Sequence, residues 1–251
     1  MLDSTTRATG RRVQFMATCL CDSFFPEAAQ ASVEVLEHAG CTVEFPEGQT
    51  CCGQPAFNGG DWASSRKVVR HTVKVFEGEL PVIVPSGSCA AMGFHGAPLE
   101  FEKEADLAAV NQLGGRTWEL FDFLVNGLGI ESWPGRYEAR LAVHHSCHTR
   151  GTGTGDALEC LLGSIEGVEL VEVSERDQCC GFGGTFSVTF PHVSKSMGQI
   201  KIERLLANAP DAVVSADMSC LMHQRGLAER AGQSMRVMHA VEILAAALKN
   251  A

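Results

Sequence analysis

The sequence has no Cys-x-x-Cys pair, no long uncharged apolar run and no excess of positive charge. Each absence removes a class of function. A bilayer-spanning helix needs about 18 or more apolar residues, so the chain is expected to be soluble. Its 20 basic and 30 acidic side chains give a formal charge of -10, which repels nucleic-acid phosphates and anionic lipid headgroups alike. A lone tetrahedral zinc usually draws its thiolates from Cys-x-x-Cys knuckles, so their absence ranks zinc behind other metals. No G-x-G-x-x-G stands after a first strand and no Walker lysine follows the glycine-rich run CGFGGTF, so no nucleotide site is expected. The first dozen residues are polar and the apolar run Val13 to Leu20 is too short for a secretory signal. The expected compartment is therefore the cytoplasm.

Cysteine is what the chain has in excess: eleven in 251 residues. The cytosol keeps thiols reduced, and an odd count cannot be fully paired, so metal binding or redox work is favoured over a disulfide scaffold.

The cysteines repeat. VQFMATC ends at Cys19 and LAVHHSC at Cys147, and from each the next 32 positions lead to a Cys-Cys-Gly, at Cys51 and Cys179. Apolar runs ending in Ser-Cys then follow, at Cys89 and Cys220, which stand 37 and 40 positions after Cys52 and Cys180. Each half closes on a helical pattern, TWELFDFLVNGLG and MHAVEILAAALKN. A tandem duplication accounts for this, with one domain over 1–129, a connector over 130–138 carrying Trp133, Pro134 and Gly135, and a second domain over 139–251.

Within each half apolar strands alternate with helices: Val13 to Thr18, Thr42 to Phe45 and Val82 to Val84 in the first, Leu141 to His145, Val168 to Val171 and Ala212 to Ser215 in the second. That rhythm specifies an α/β fold of two small parallel sheets flanked by helices. Parallel strands gather function at their carboxyl ends. Cys19, Cys89, Cys147 and Cys220 follow strands directly, and the Cys-Cys pairs lie in the loop after the second strand of each half, so three loops can converge on one site per half.

Adjacent cysteines rarely bond to each other but can both ligate a multi-iron cluster. Cys19, Cys51, Cys52 and Cys89 are one candidate set and Cys147, Cys179, Cys180 and Cys220 the other, each suited to an iron–sulfur centre, with Gly53, Gly181, Gly183 and Gly184 letting backbone N–H groups approach sulfur. Two other readings use the same residues: a metal-free thiol-disulfide oxidoreductase, and a zinc-holding docking subunit. Cys41 and Cys160 read as core filler. His145, His148 and His223 stand near motif cysteines, as satisfied polar groups or as donors to a cluster, and His38 and His71 as solvated positions.

The segments FPEGQTCCGQPAFNGG, VPSGSCAAM, HHSCHTRG, CCGFGGTFSV and SCLMH closely resemble the lactate utilization protein A family. More broadly they resemble the CCG domains of the cluster-bearing subunit of heterodisulfide reductase and of anaerobic glycerol-3-phosphate dehydrogenase. The resemblance implies a cytosolic protein that works with two companion proteins, an iron–sulfur and an accessory subunit, in oxidising L-lactate to pyruvate, holding up to one cluster, [4Fe–4S] in type, per domain. The five-cysteine relatives end in Cys-x-x-Cys, whereas this chain has Ser86-Gly87-Ser88-Cys89 and Asp217-Met218-Ser219-Cys220. Each half is one thiolate short, which leaves Ser86, Asp217 or a histidine open as a substitute ligand. Cys21 stands two positions after Cys19, where the second half has Thr149, and is not assigned as a ligand.

Overall fold

The computed structural model describes residues 11–250; the polar first ten, part of the stretch read as lacking an export signal, and Ala251 lie outside the described residues. Two four-stranded sheets form, ordered β2-β1-β3-β4 and β6-β5-β7-β8, and every strand pair is parallel.

The first lobe runs β1 (Arg12–Phe15), α1 (Cys19–Phe24), α2 (Pro26–His38), β2 (Thr42–Glu44), α3 (Gln54–Asn58) and α4 (Trp62–Val75). It continues with β3 (Val82–Val84), α5 (Gly87–Ala91), α6 (Ala97–Glu100), α7 (Leu107–Gly114), β4 (Thr117–Glu119) and α8 (Leu120–Asp122). The second lobe has β5 (Arg136–Val143), α9 (Thr154–Gly163), β6 (Glu166–Val171), α10 (Thr185–Thr189) and α11 (Pro191–Leu206). It ends with β7 (Ala212–Ser215), α12 (Met218–Arg230), β8 (Val237–His239) and α13 (Ala240–Leu248).

Local chemistry explains the main elements. Pro26 and Pro191 sit at the first turns of α2 and α11, where a missing N–H costs nothing. Asp61 caps α4 by accepting from the Ser64 N–H at 3.1 Å. β3 and β7 read Val-Ile-Val and Ala-Val-Val-Ser and are buried throughout, as central parallel strands must be.

The α/β class and the duplicated parallel sheets are as expected, but each sheet has a fourth strand. β4 and β8 occupy the first residues of what reads as closing helix, because a three-residue strand is too short to show alternation. β5 begins at Arg136, inside the segment read as connector. Trp133 of that segment is buried, and its indole N–H donates to the Leu244 carbonyl at 2.9 Å.

The lobes share one core. Val13 and Phe15 of β1 belong to the same apolar cluster as Leu141 and Val143 of β5, with Phe121, Leu158 and Leu244 between them. α2 packs against α13 and α8 against α9, so helices of both lobes fill the space between the sheets.

Polar bonds tie the lobes at their carboxyl edges. The carboxylate of buried Asp217 accepts from the Ser88 N–H of the other lobe at 2.8 Å, from Ser146 Oγ at 3.4 Å and from the Ser219 N–H at 3.1 Å. The Gly87 N–H donates to the Ala216 carbonyl at 3.1 Å. A Cβ at Gly87 would stand 2.3 Å from Thr149 Cγ2, so a glycine is what lets the lobes close. Hydrogen bonds to a charged partner each contribute about 1.5–3 kcal/mol. Asp217→Ala is therefore expected to lower unfolding free energy by about 2–3 kcal/mol, read as a fall in the urea midpoint at unchanged slope.

Candidate functional site

Strand order decides where the site lies. In each sheet the chain leaves the two central strands toward opposite faces, opening a crevice at their carboxyl ends. Cys19 and Cys147 come just after β1 and β5, Cys89 and Cys220 after β3 and β7, and the Cys-Cys pairs after the neighbouring β2 and β6. The four that were read as following strands directly lie in the first turns of helices: α1, α5, the short 3-10 turn Cys147–Thr149, and α12.

Each quartet meets. In the first lobe the Cys52 thiol lies 3.4 Å from Cys89 Sγ, and Cys19 and Cys52 both stand close enough to Cys51 to shift its thiol. In the second, Cys179 Sγ lies 3.8 Å from Cys147 Sγ, and the sulfurs of Cys180 and Cys220 lie within 4.8 Å of each other. The two quartets do not occupy separate clefts. All eight thiols line one cavity of about 160 Å³ between the lobes, with Gln54, Asn58, His148 and Phe182 also in its wall.

The glycines perform as their positions require. Gly53 and Gly181 adopt φ of +94° and +85°, and a Cβ at Gly181 would stand 2.6 Å from the Ser194 carbonyl. That turn aims the Gly181 N–H at Cys179 Sγ, 3.4 Å away, and the Phe182 N–H at Cys180 Sγ, 3.5 Å away. Thr18 adopts φ 64°, ψ 150°, a region costly for a β-branched residue, immediately before Cys19.

Electrostatics repeats in the two lobes. Hydrogen bonds from neighbouring thiols, then backbone N–H groups, hold Cys51 and Cys179 far below the usual thiol range. The proton each bond retains, together with burial, pushes Cys19, Cys52, Cys147 and Cys180 upward. Every cysteine in the described residues is a free thiol.

Other expectations resolve individually. Asp217 and Ser86 cap helices, Asp217 turning Oδ2 to the lobe contact and Oδ1 to Ser219, and Ser86 accepting from the Cys89 N–H at 3.4 Å. Cys21 lines the cavity but is buried against Phe25, Leu205 and Met218, and burial lifts its thiol to about 11. Cys41 is core, as read. Cys160 is not: it is exposed on α9, its thiol 3.3 Å from the Glu131 carbonyl, because it falls outside the buried stripe of Ala157, Leu158, Leu161 and Leu162. His145 is paired with Glu159 at 2.8 Å, His148 Nδ1 is 3.6 Å from Cys147 Sγ, and His223 Nε2 is 3.3 Å from Ser194 Oγ. His38 and His71 are exposed.

Two residues that the sequence reading passed over lie behind the second quartet. His144 is 1% exposed, and burial holds its imidazole down to about 3, hence neutral. Its period-two relation to Ala142 in β5 puts it on the face opposite Leu141 and Val143. Lys201 is fully buried on α11, donating to the Arg176 carbonyl at 2.9 Å, with burial lowering it to about 8. It stands in the helical row Ser194, Gly198, Lys201, Leu205, the buried face of α11, and that spacing is the signal for it.

Paired parallel sheets whose Cys-Cys-Gly turns face one cleft define a protein of duplicated cysteine-rich CCG domains. The CCG family description, "Cysteine-rich domain", matches residues 13–92 and 141–225. At the level of the whole chain, Lactate utilization protein A 2 of Bacillus cereus (strain Q1) is 38% identical over 94% of this chain and 99% of its own length. Lactate utilization protein A of Geobacillus kaustophilus is 42% identical over 93% and 98%, and that of Halalkalibacterium halodurans 39% over 93% and 96%. The chain belongs to the lactate utilization protein A family.

The thiolate is the reactive form of cysteine, and an ordinary thiol of pKa about 8.5 loses it as pH falls. Cys51 and Cys179, held low, keep theirs. In metal-free protein at about pH 6, well under the ordinary thiol range, iodoacetamide is expected to label Cys51 and Cys179 ahead of Cys19, although Cys19 is the more exposed. Peptide mapping by mass spectrometry reads the order.

Proposed function

We propose that the chain is an iron–sulfur electron-transfer subunit of a cytoplasmic system that oxidises L-lactate to pyruvate. Cys19, Cys51, Cys52 and Cys89 hold one cluster, [4Fe–4S] in type, and Cys147, Cys179, Cys180 and Cys220 the other. The observation that carries the reading is the meeting of four thiols from three loops, twice, on one cavity. The lactate role rests on the names of the relatives; the wider system, two companion proteins, on the motif resemblance. Among the described residues no helix is long and apolar enough to cross a membrane.

The donor set fits such a cluster. Thiolates are its usual ligands, and N–H groups directed at sulfur tune its potential. Cys51 and Cys179 favour the thiolate before any metal arrives, while the remaining thiols release protons on loading. Bound clusters supply one-electron chemistry; the chain's own residues hold them, direct N–H groups at the sulfurs, and exclude water at the inner faces of Cys52 and Cys180, both buried.

The same low Cys51 and Cys179 suit the rival reading of metal-free thiol exchange, and the zinc reading remains a distinct outcome of one assay. Anaerobically purified protein is expected to contain about four iron and four acid-labile sulfide per lobe, with Cys51→Ser and Cys179→Ser each removing about half. Zinc without sulfide, or a colourless protein with active thiols, would reverse the conclusion.

A further inference from the structure

The lobes repeat their cysteines but not what stands behind them. Met16 lies three positions before Cys19, and His144 three before Cys147. Their backbones are equivalent as well: the Met16 N–H donates to the Ile83 carbonyl at 2.9 Å and the His144 N–H to the Val214 carbonyl at 2.8 Å, and each acceptor stands six positions before the last cysteine of its lobe. Where the first lobe packs a thioether against Cys52 in an apolar cluster, the second places an imidazole.

That imidazole has no partner of its own. Both ring nitrogens of His144 are buried without a hydrogen bond. A neutral ring carries one donor and one acceptor, and each buried polar group left unsatisfied costs about 1–3 kcal/mol. A ligand nitrogen of the ring and the sulfurs of Cys180 and Cys220 lie within 4.8 Å of one another, a span that one metal ion bridges, since iron or zinc bonds of about 2.0–2.3 Å reach each donor. The first lobe, with methionine at this position, has no such nitrogen.

We propose that His144 is a nitrogen ligand of the second lobe's cluster, beside Cys180 and Cys220, so that the two sites of the duplicated chain differ in ligand set. The inference rests on the iron–sulfur reading above. A neutral imidazole brings no negative charge to the cluster, so exchanging it for a thiolate at this position lowers the potential.

The test is pulsed EPR on anaerobically prepared, reduced protein carrying 15N-labelled histidine. The expected spectrum contains the coupling of a directly bound imidazole nitrogen, and His144→Met, which installs the first lobe's own residue, loses that coupling while iron and sulfide remain in the other lobe. His144→Cys is expected to retain the second cluster with a lowered midpoint in a redox titration. Iron and sulfide present without any bound-nitrogen coupling in the unaltered protein overturns the assignment and leaves the iron–sulfur reading standing. Absence of iron and sulfide overturns both.

Discussion

Everything in this protein depends on a property of parallel sheets: strands running the same way deliver all their exit loops to one edge. The cysteines of each lobe are more than thirty positions apart in sequence on either side of the Cys-Cys pair, yet β1, β2 and β3, or β5, β6 and β7, bring them out beside one another. Bringing such distant residues together has an entropic cost that the sheet, stabilised by its own buried aliphatic strands, has already met before any thiol is positioned. The sulfurs then meet at hydrogen-bonding distance without needing a disulfide or a contiguous knuckle.

The second constraint is the way the halves face each other. A shared core through α2, α8, α9 and α13 holds the sheets together, and the Asp217 carboxylate draws the α5 turn of one lobe onto the β7 edge of the other. The result is a single cavity walled by both quartets. Gene duplication of a one-site unit supplies two sites; only the closed pseudo-symmetric arrangement makes them neighbours. Within that arrangement the halves differ behind their quartets, Met16 standing in the first where His144 stands in the second.

Much of this was legible from residues alone. Matched spacings exposed the duplication, and Val82 to Val84 and Ala212 to Ser215 are strands at the expected bounds, because short runs of β-branched residues between helices have few alternatives. β4 and β8 were not legible, since Thr117 to Glu119 and Val237 to His239 run without a break into α8 and α13. Cys160 was misread as core because helix phase, set by α9's docking, turns it outward. His144 was hidden beside His145: adjacent strand residues face opposite ways, and which of two neighbouring histidines points at sulfur is settled by the face of β5 that packs on α11.

The amino-acid sequence by itself determined the class of the fold, its two copies and the identity of the clustered cysteines, since each is written in local pattern and spacing. Tertiary structure alone decided that both quartets share a cavity, that Asp217 joins lobes and that a buried imidazole backs one quartet only. The first two depend on contacts between segments separated by a hundred residues or more, such as Ser88 with Asp217, and no local pattern encodes the relative placement of two packed sheets.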